Sequence, residues 1–179
     1  MRVSRIVLAI AALGAVFQSQ VAAAQSCLTE RELNGLVTFA LPGLMDSTIR
    51  TCRPHLAPGG YFATQGPALL GRYAAGKDAA WPVARGALMK IGTDKDAQTM
   101  DMVRKLPDNA LQPFAEAMIA EMVAGKVKAD QCVAIERGAR LLAPLPPENT
   151  AELITFIVSL VDKPKPGKKA DLSLCPAKD

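Results

Sequence analysis

One histidine stands in the whole chain, His55, within Arg53-Pro54-His55-Leu56. No glycine-flanked serine elbow and no His-Glu-x-x-His helix accompanies it, so triad hydrolysis and zinc hydrolysis lack their parts. A histidine just past a helix-ending proline reads as an exposed loop residue, not as an acid–base group. The four cysteines contain no Cys-x-x-Cys, which removes thioredoxin-like exchange and covalent haem attachment. Two methionine pairs, Met100 with Met102 and Met118 with Met122, are soft thioether donors of the kind that hold Cu(I). Methionines four apart on an apolar helix face are also adaptable core filling, and that reading is taken, so no metal is assigned. The carboxylate pairs Glu30/Glu32 and Glu116/Glu121 have local explanations: Glu32 caps a helix, and Glu116 follows Pro113 in a first turn that favours negative charge. No cofactor signature is present, and the chain reads as non-enzymatic.

The densest run of hydrogen-bonding groups on any predicted helix is Asp46-Ser47-Thr48-x-Arg50-Thr51-x-Arg53. Arg50 and Arg53 lie about one turn apart, and His55 follows them; these three form the candidate interaction surface. As a solvated face the run needs no partner.

Export frames everything else. Met1-Arg2-Val3-Ser4-Arg5 is short and basic, an uninterrupted apolar run covers residues 6–17, and Ala22-x-Ala24 supplies small residues for a signal peptidase. Residues 1–24 therefore read as a cleaved signal peptide, with Gln25 first in the mature chain. The apolar run is too short to span a bilayer, and no transmembrane segment is expected after cleavage. Removing Arg2 and Arg5 lowers the net charge from +4 to +2. No helix carries a clustered basic face, so nucleic acid is set aside. A periplasmic or secreted location follows, and there an even number of cysteines reads as a disulfide framework.

The elements that must position these residues are helical. Apolar residues make up 50% of the chain and aromatics only 4%, a composition suited to close-packed helices of Ala, Leu, Val, Ile and Met. Thr29 to Glu32 and Asn149 to Glu152 both match the capping box. From the first, Leu33, Leu36, Val37, Ala40 and Leu41 form one stripe, which Pro42-Gly43 is expected to interrupt; a second helix then runs to Cys52 and stops at Pro54. Residues 57–66 hold three glycines and a proline and read as a loop, with Tyr61 and Phe62 beneath it. Further helices are predicted through Leu69 and Tyr73, from Pro82 to Gly92, from Thr93 past Met100 and Leu106, from Pro113 to Gly125, and from Cys132 to Leu142. The stretch from Leu153 to Val161, apolar on nearly every side, is expected to be the central core helix.

The fold class is thus all-α: a compact bundle of about six to seven short helices stapled by two disulfides, in one domain over residues 25–162. Residues 163–179 form a basic, proline- and lysine-rich strap anchored by Cys175. If Pro42 turns the chain, Cys27 and Cys52 come together at the open end of a hairpin, and Cys132 pairs with Cys175 around the proline-rich turn at 144–147. A loop of that first size is worth about 3 kcal/mol. If Pro42 only kinks one long helix, Cys27 and Cys52 cannot meet. The function expected is contact with an envelope protein or the envelope itself; the alternative is a carrier enclosing a small apolar ligand.

Overall fold

Thr29 opens the first helix as its capping box predicts. Its hydroxyl accepts the Glu32 N–H at 3.2 Å, and the Glu32 carboxylate accepts the Thr29 N–H at 2.9 Å. The helix that follows, α1 (Glu30–Cys52), runs unbroken through Pro42. The computed structural model describes residues 27–92, 97–162, 172, 174 and 175. The expected leader, residues 1–24, and nearly all of the strap lie outside the described residues.

Six more α-helices follow among the described residues: α2 (Tyr61–Ala74), α3 (Lys77–Ile91), α4 (Ala97–Lys105), α5 (Asp108–Ala124), α6 (Cys132–Leu142) and α7 (Pro147–Val161). Short 3₁₀ turns cover Arg53–His55 and Ala129–Gln131. The only extended pairing among the described residues is a parallel bridge between Leu28 and Leu174. The all-helical class and the upper count of seven are therefore observed.

Both expected disulfide pairings are corrected. Cys27 is bonded to Cys175, and Cys52 to Cys132. The reason is the continuity of α1: its 23 residues span about 34 Å, which sets Cys27 and Cys52 at opposite ends. Pro42 removes one backbone bond from α1. The helix continues because it is the axis on which α2, α3, α5 and α7 pack. Phe39, Ala40, Leu41 and Pro42 itself are all buried.

Proline misled elsewhere for a related reason. Pro67, Pro82 and Pro113 each stand inside a helix, within its second turn, where helix starts or loops are expected from the sequence. All three are exposed, as are Ala63, Asp78 and Asn109, whose carbonyls each lose a donor; those carbonyls lie on the wet side of their helices. The second capping box is not used either. Pro147 opens α7 as a first-turn residue, which leaves Asn149 inside the helix and frees Thr150 to turn inward.

The core wraps α1 on two sides. Leu41, Ile49 and Cys52 pack with Phe62, Leu69 and Tyr73 of α2 and with Cys132 and Ala139 of α6. Phe39 packs with Trp81 and Ala84 of α3 and with Leu111 and Ala115 of α5; the Phe39 and Trp81 rings lie 4.9 Å apart. Gly35 makes the α1–α3 approach possible, since a Cβ there would stand 2.6 Å from Val83 Cγ1. The central helix is thus α1. The expected core helix, α7, lies at the periphery with its apolar side in solvent.

Candidate functional site

A cavity of about 410 Å³ opens where α1 ends and α2 begins. Ile49 and Phe62, both buried, form its floor, and Leu56, Ala57, Pro58 and Ala63 its sides. Among the described residues Arg53 is the sole charged lining residue. The chain makes this shape because Pro54 cannot continue α1 while Gly60 starts α2, so a short tight segment bridges two helix ends.

Helix α6 holds both walls. Cys132, its first residue, is bonded to Cys52 at the end of α1. Glu136, one turn later on the same face, accepts the Phe62 N–H at 2.9 Å, which caps the start of α2 from across the fold. Arg72 donates to Ala143 O at 2.8 Å and ties the far end of α2 to the end of α6. Glu136 was missed by sequence reasoning. Its only signal was its place four residues after a cysteine, which gains meaning only once the true pairing is known.

The candidate interaction residues divide. Arg50 forms a local ion pair with Asp46 at 2.9 Å, and the expected run of polar groups is partly turned inward: Ser47 donates to Ala120 O and Thr48 to Leu44 O. Arg53 lines the cavity and has no ion-pair partner among the described residues. His55 is exposed on the 3₁₀ turn and is not a lining residue. Of the methionines, Met100 is buried, Met102 and Met118 are exposed, and the Met122 side chain lies outside the described residues. Among the described residues no group of three His, Cys, Asp or Glu side chains is placed to hold a metal ion. Glu32 and Glu116 are engaged with Lys90 and Lys77 at 2.8 and 2.6 Å.

The second feature is α7. Its inward side carries Thr150, Ala151, Ile154 and Thr155; its outward side carries Leu153, Phe156, Ile157 and Leu160, spaced as one helical stripe. Phe156 is 53% exposed and Ile157 48%. Two hydroxyls thus lie inside beside Ala151 and Ile154, while four large hydrocarbon side chains stand outside. Tyr73 Oη donates to Thr150 Oγ1 at 3.2 Å, whereas Thr155 Oγ1 is buried with no partner among the described residues. No described helix is long and apolar enough to cross a membrane.

Compared with protein-family models, with curated proteins and with solved structures, the chain matches none.

Proposed function

We propose that this is an exported, non-enzymatic helical protein of the periplasm or the extracellular space that acts by contact with an envelope protein or the envelope surface. The observation that carries the reading is the outward face of α7, where Leu153, Phe156, Ile157 and Leu160 stand in solvent as one stripe. Contiguous exposed apolar surface of this kind marks a contact site. The signal-like sequence of residues 1–24 and the two disulfides support an oxidising destination.

Serines at both Phe156 and Ile157 test it. The variant is expected to be exported, to keep both disulfides and the helical circular dichroism of the native chain, and to lose its association with the envelope fraction after osmotic shock. Association equal to that of the unmodified protein would remove α7 from the reading.

A second reading, a carrier for a small apolar ligand, is favoured by the cavity beside Arg53. Its volume falls in the range of small-molecule sites, roughly 300–1,000 Å³. Saturable binding of a neutral fatty alcohol, lost when Ala63→Trp fills the space, is the expected result.

A further inference from the structure

Building on the carrier reading, we propose that the cavity between α1 and α2 binds a small amphiphile with one anionic head, carboxylate or phosphate, held by Arg53, and an apolar tail laid against Ile49, Leu56 and Phe62. Among the described residues the lining side chains are hydrocarbon apart from one guanidinium. An apolar space with one charged group at its edge selects an apolar body with one complementary charge. Arg53 suits this role because its planar fork takes carboxylate or phosphate by paired hydrogen bonds.

The surrounding charges leave Arg53 available. Asp46, the acid one turn before Arg50, is paired with Arg50. Glu136, the acid nearest the start of α2, is committed to the Phe62 N–H. Neither lines the cavity. The carbonyl end of α1 and the N–H end of α2 flank the space with opposite partial charges of about one half each, so they largely offset. What remains is the guanidinium. The floor is also preformed: Ile49 and Phe62 are core residues held by the Cys52–Cys132 bond and the Glu136 contact, so little ordering is needed on binding.

Calorimetric titration of the oxidised protein with four monomeric probes decides the matter: dodecanoate, dodecyl phosphate, dodecanol and dodecyltrimethylammonium. The expected result is one site per chain, with one or both anions bound at least about tenfold more tightly than dodecanol and the cation more weakly still. Which anion binds better distinguishes a fatty acid from a phosphate-headed source. Arg53→Gln is expected to bring the anions to the level of dodecanol while leaving dodecanol unchanged, and Ala63→Trp to abolish all binding. Phe156→Ser, on the outer face of α7 and not a lining residue, should change nothing. Equal binding of all four probes overturns the anionic head and leaves the carrier reading standing. Binding of none overturns both. Anion binding that survives Ala63→Trp, or that is lost with Phe156→Ser, removes the site from this cavity.

Discussion

Glu136 Oε1 accepts the backbone N–H of Phe62 across 74 residues of chain, one turn after the cysteine that grips the end of α1. The contact needs Gly60, because a Cβ at that position would stand 2.7 Å from the same oxygen. A charged acceptor at a helix start is worth about 1–2 kcal/mol. Glu136→Ala is therefore expected to lower the unfolding free energy by about that amount in urea titrations, and Glu136→Gln by less, since an amide oxygen still accepts. Equal stability of Glu136→Ala and the parent would show that α2 starts without this cap.

Peptide mapping without reduction should recover Cys27 joined to Cys175 and Cys52 joined to Cys132. The bridged residues lie 148 and 80 apart in sequence, which in the chain-entropy account makes each bond worth about 4–5 kcal/mol. Replacing Cys52 and Cys132 together by serine is expected to cost about that much in urea unfolding, a large part of typical net stability. A peptide joining Cys27 to Cys52 would mean that α1 is broken at Pro42 after all.

The helical class, the Thr29 cap, the stop at Cys52 and the stop before Gly92 follow from local chemistry, and local chemistry is what a sequence displays. What was lost depended on distant contacts. Pro42 reads as a break because the missing N–H is visible in the sequence, whereas the four helices packed along α1 are not. The disulfide pairing inherited that error. The all-apolar stretch from Leu153 to Val161 reads as core because burial is the usual destination of such a helix, and only the fold shows its outer side uncovered. At the cavity, Arg53 was legible as a polar residue after a helix end. Its partners Ile49 and Phe62 were not, since they are brought beside it by a bond and a cap formed from α6.

Acid should weaken one junction in a defined direction. Burial alone pulls the Glu32 carboxyl upward, and this is the largest single influence on it. The hydrogen bond from Lys90, those from the Thr29 N–H and hydroxyl, and the Lys90 charge together outweigh it and set the pKa below the ordinary 4.5. A depressed carboxyl stabilises the fold fully above its unfolded value, and that contribution is lost as pH falls through the lower folded value. Lys90→Met should therefore be destabilising at neutral pH, by about 1 kcal/mol, with the difference from the parent shrinking once pH drops below about 4.5. Unfolding titrations of both proteins across that range check it, and a difference independent of pH would uncouple Lys90 from Glu32.

The two buried threonines of α7 are separated by sign. Thr155 Oγ1 is buried without a partner among the described residues, so its hydroxyl carries a desolvation cost that nothing offsets. Valine has nearly the same shape and no hydroxyl, and Thr155→Val is expected to stabilise the protein by about 1 kcal/mol. Thr150 is the contrasting case: it accepts from Tyr73 and donates to Pro146 O, so Thr150→Val should destabilise by a similar amount. Phe156, next to Thr155 but facing outward, should change to serine within about 0.5 kcal/mol of the parent, because more than half of it is already in water. Thermal and urea unfolding of the three variants, made singly, reads the two opposite signs and the near-neutral change. If Phe156→Ser instead costs several kcal/mol, the outer face of α7 is covered in the folded protein, and contact through it falls.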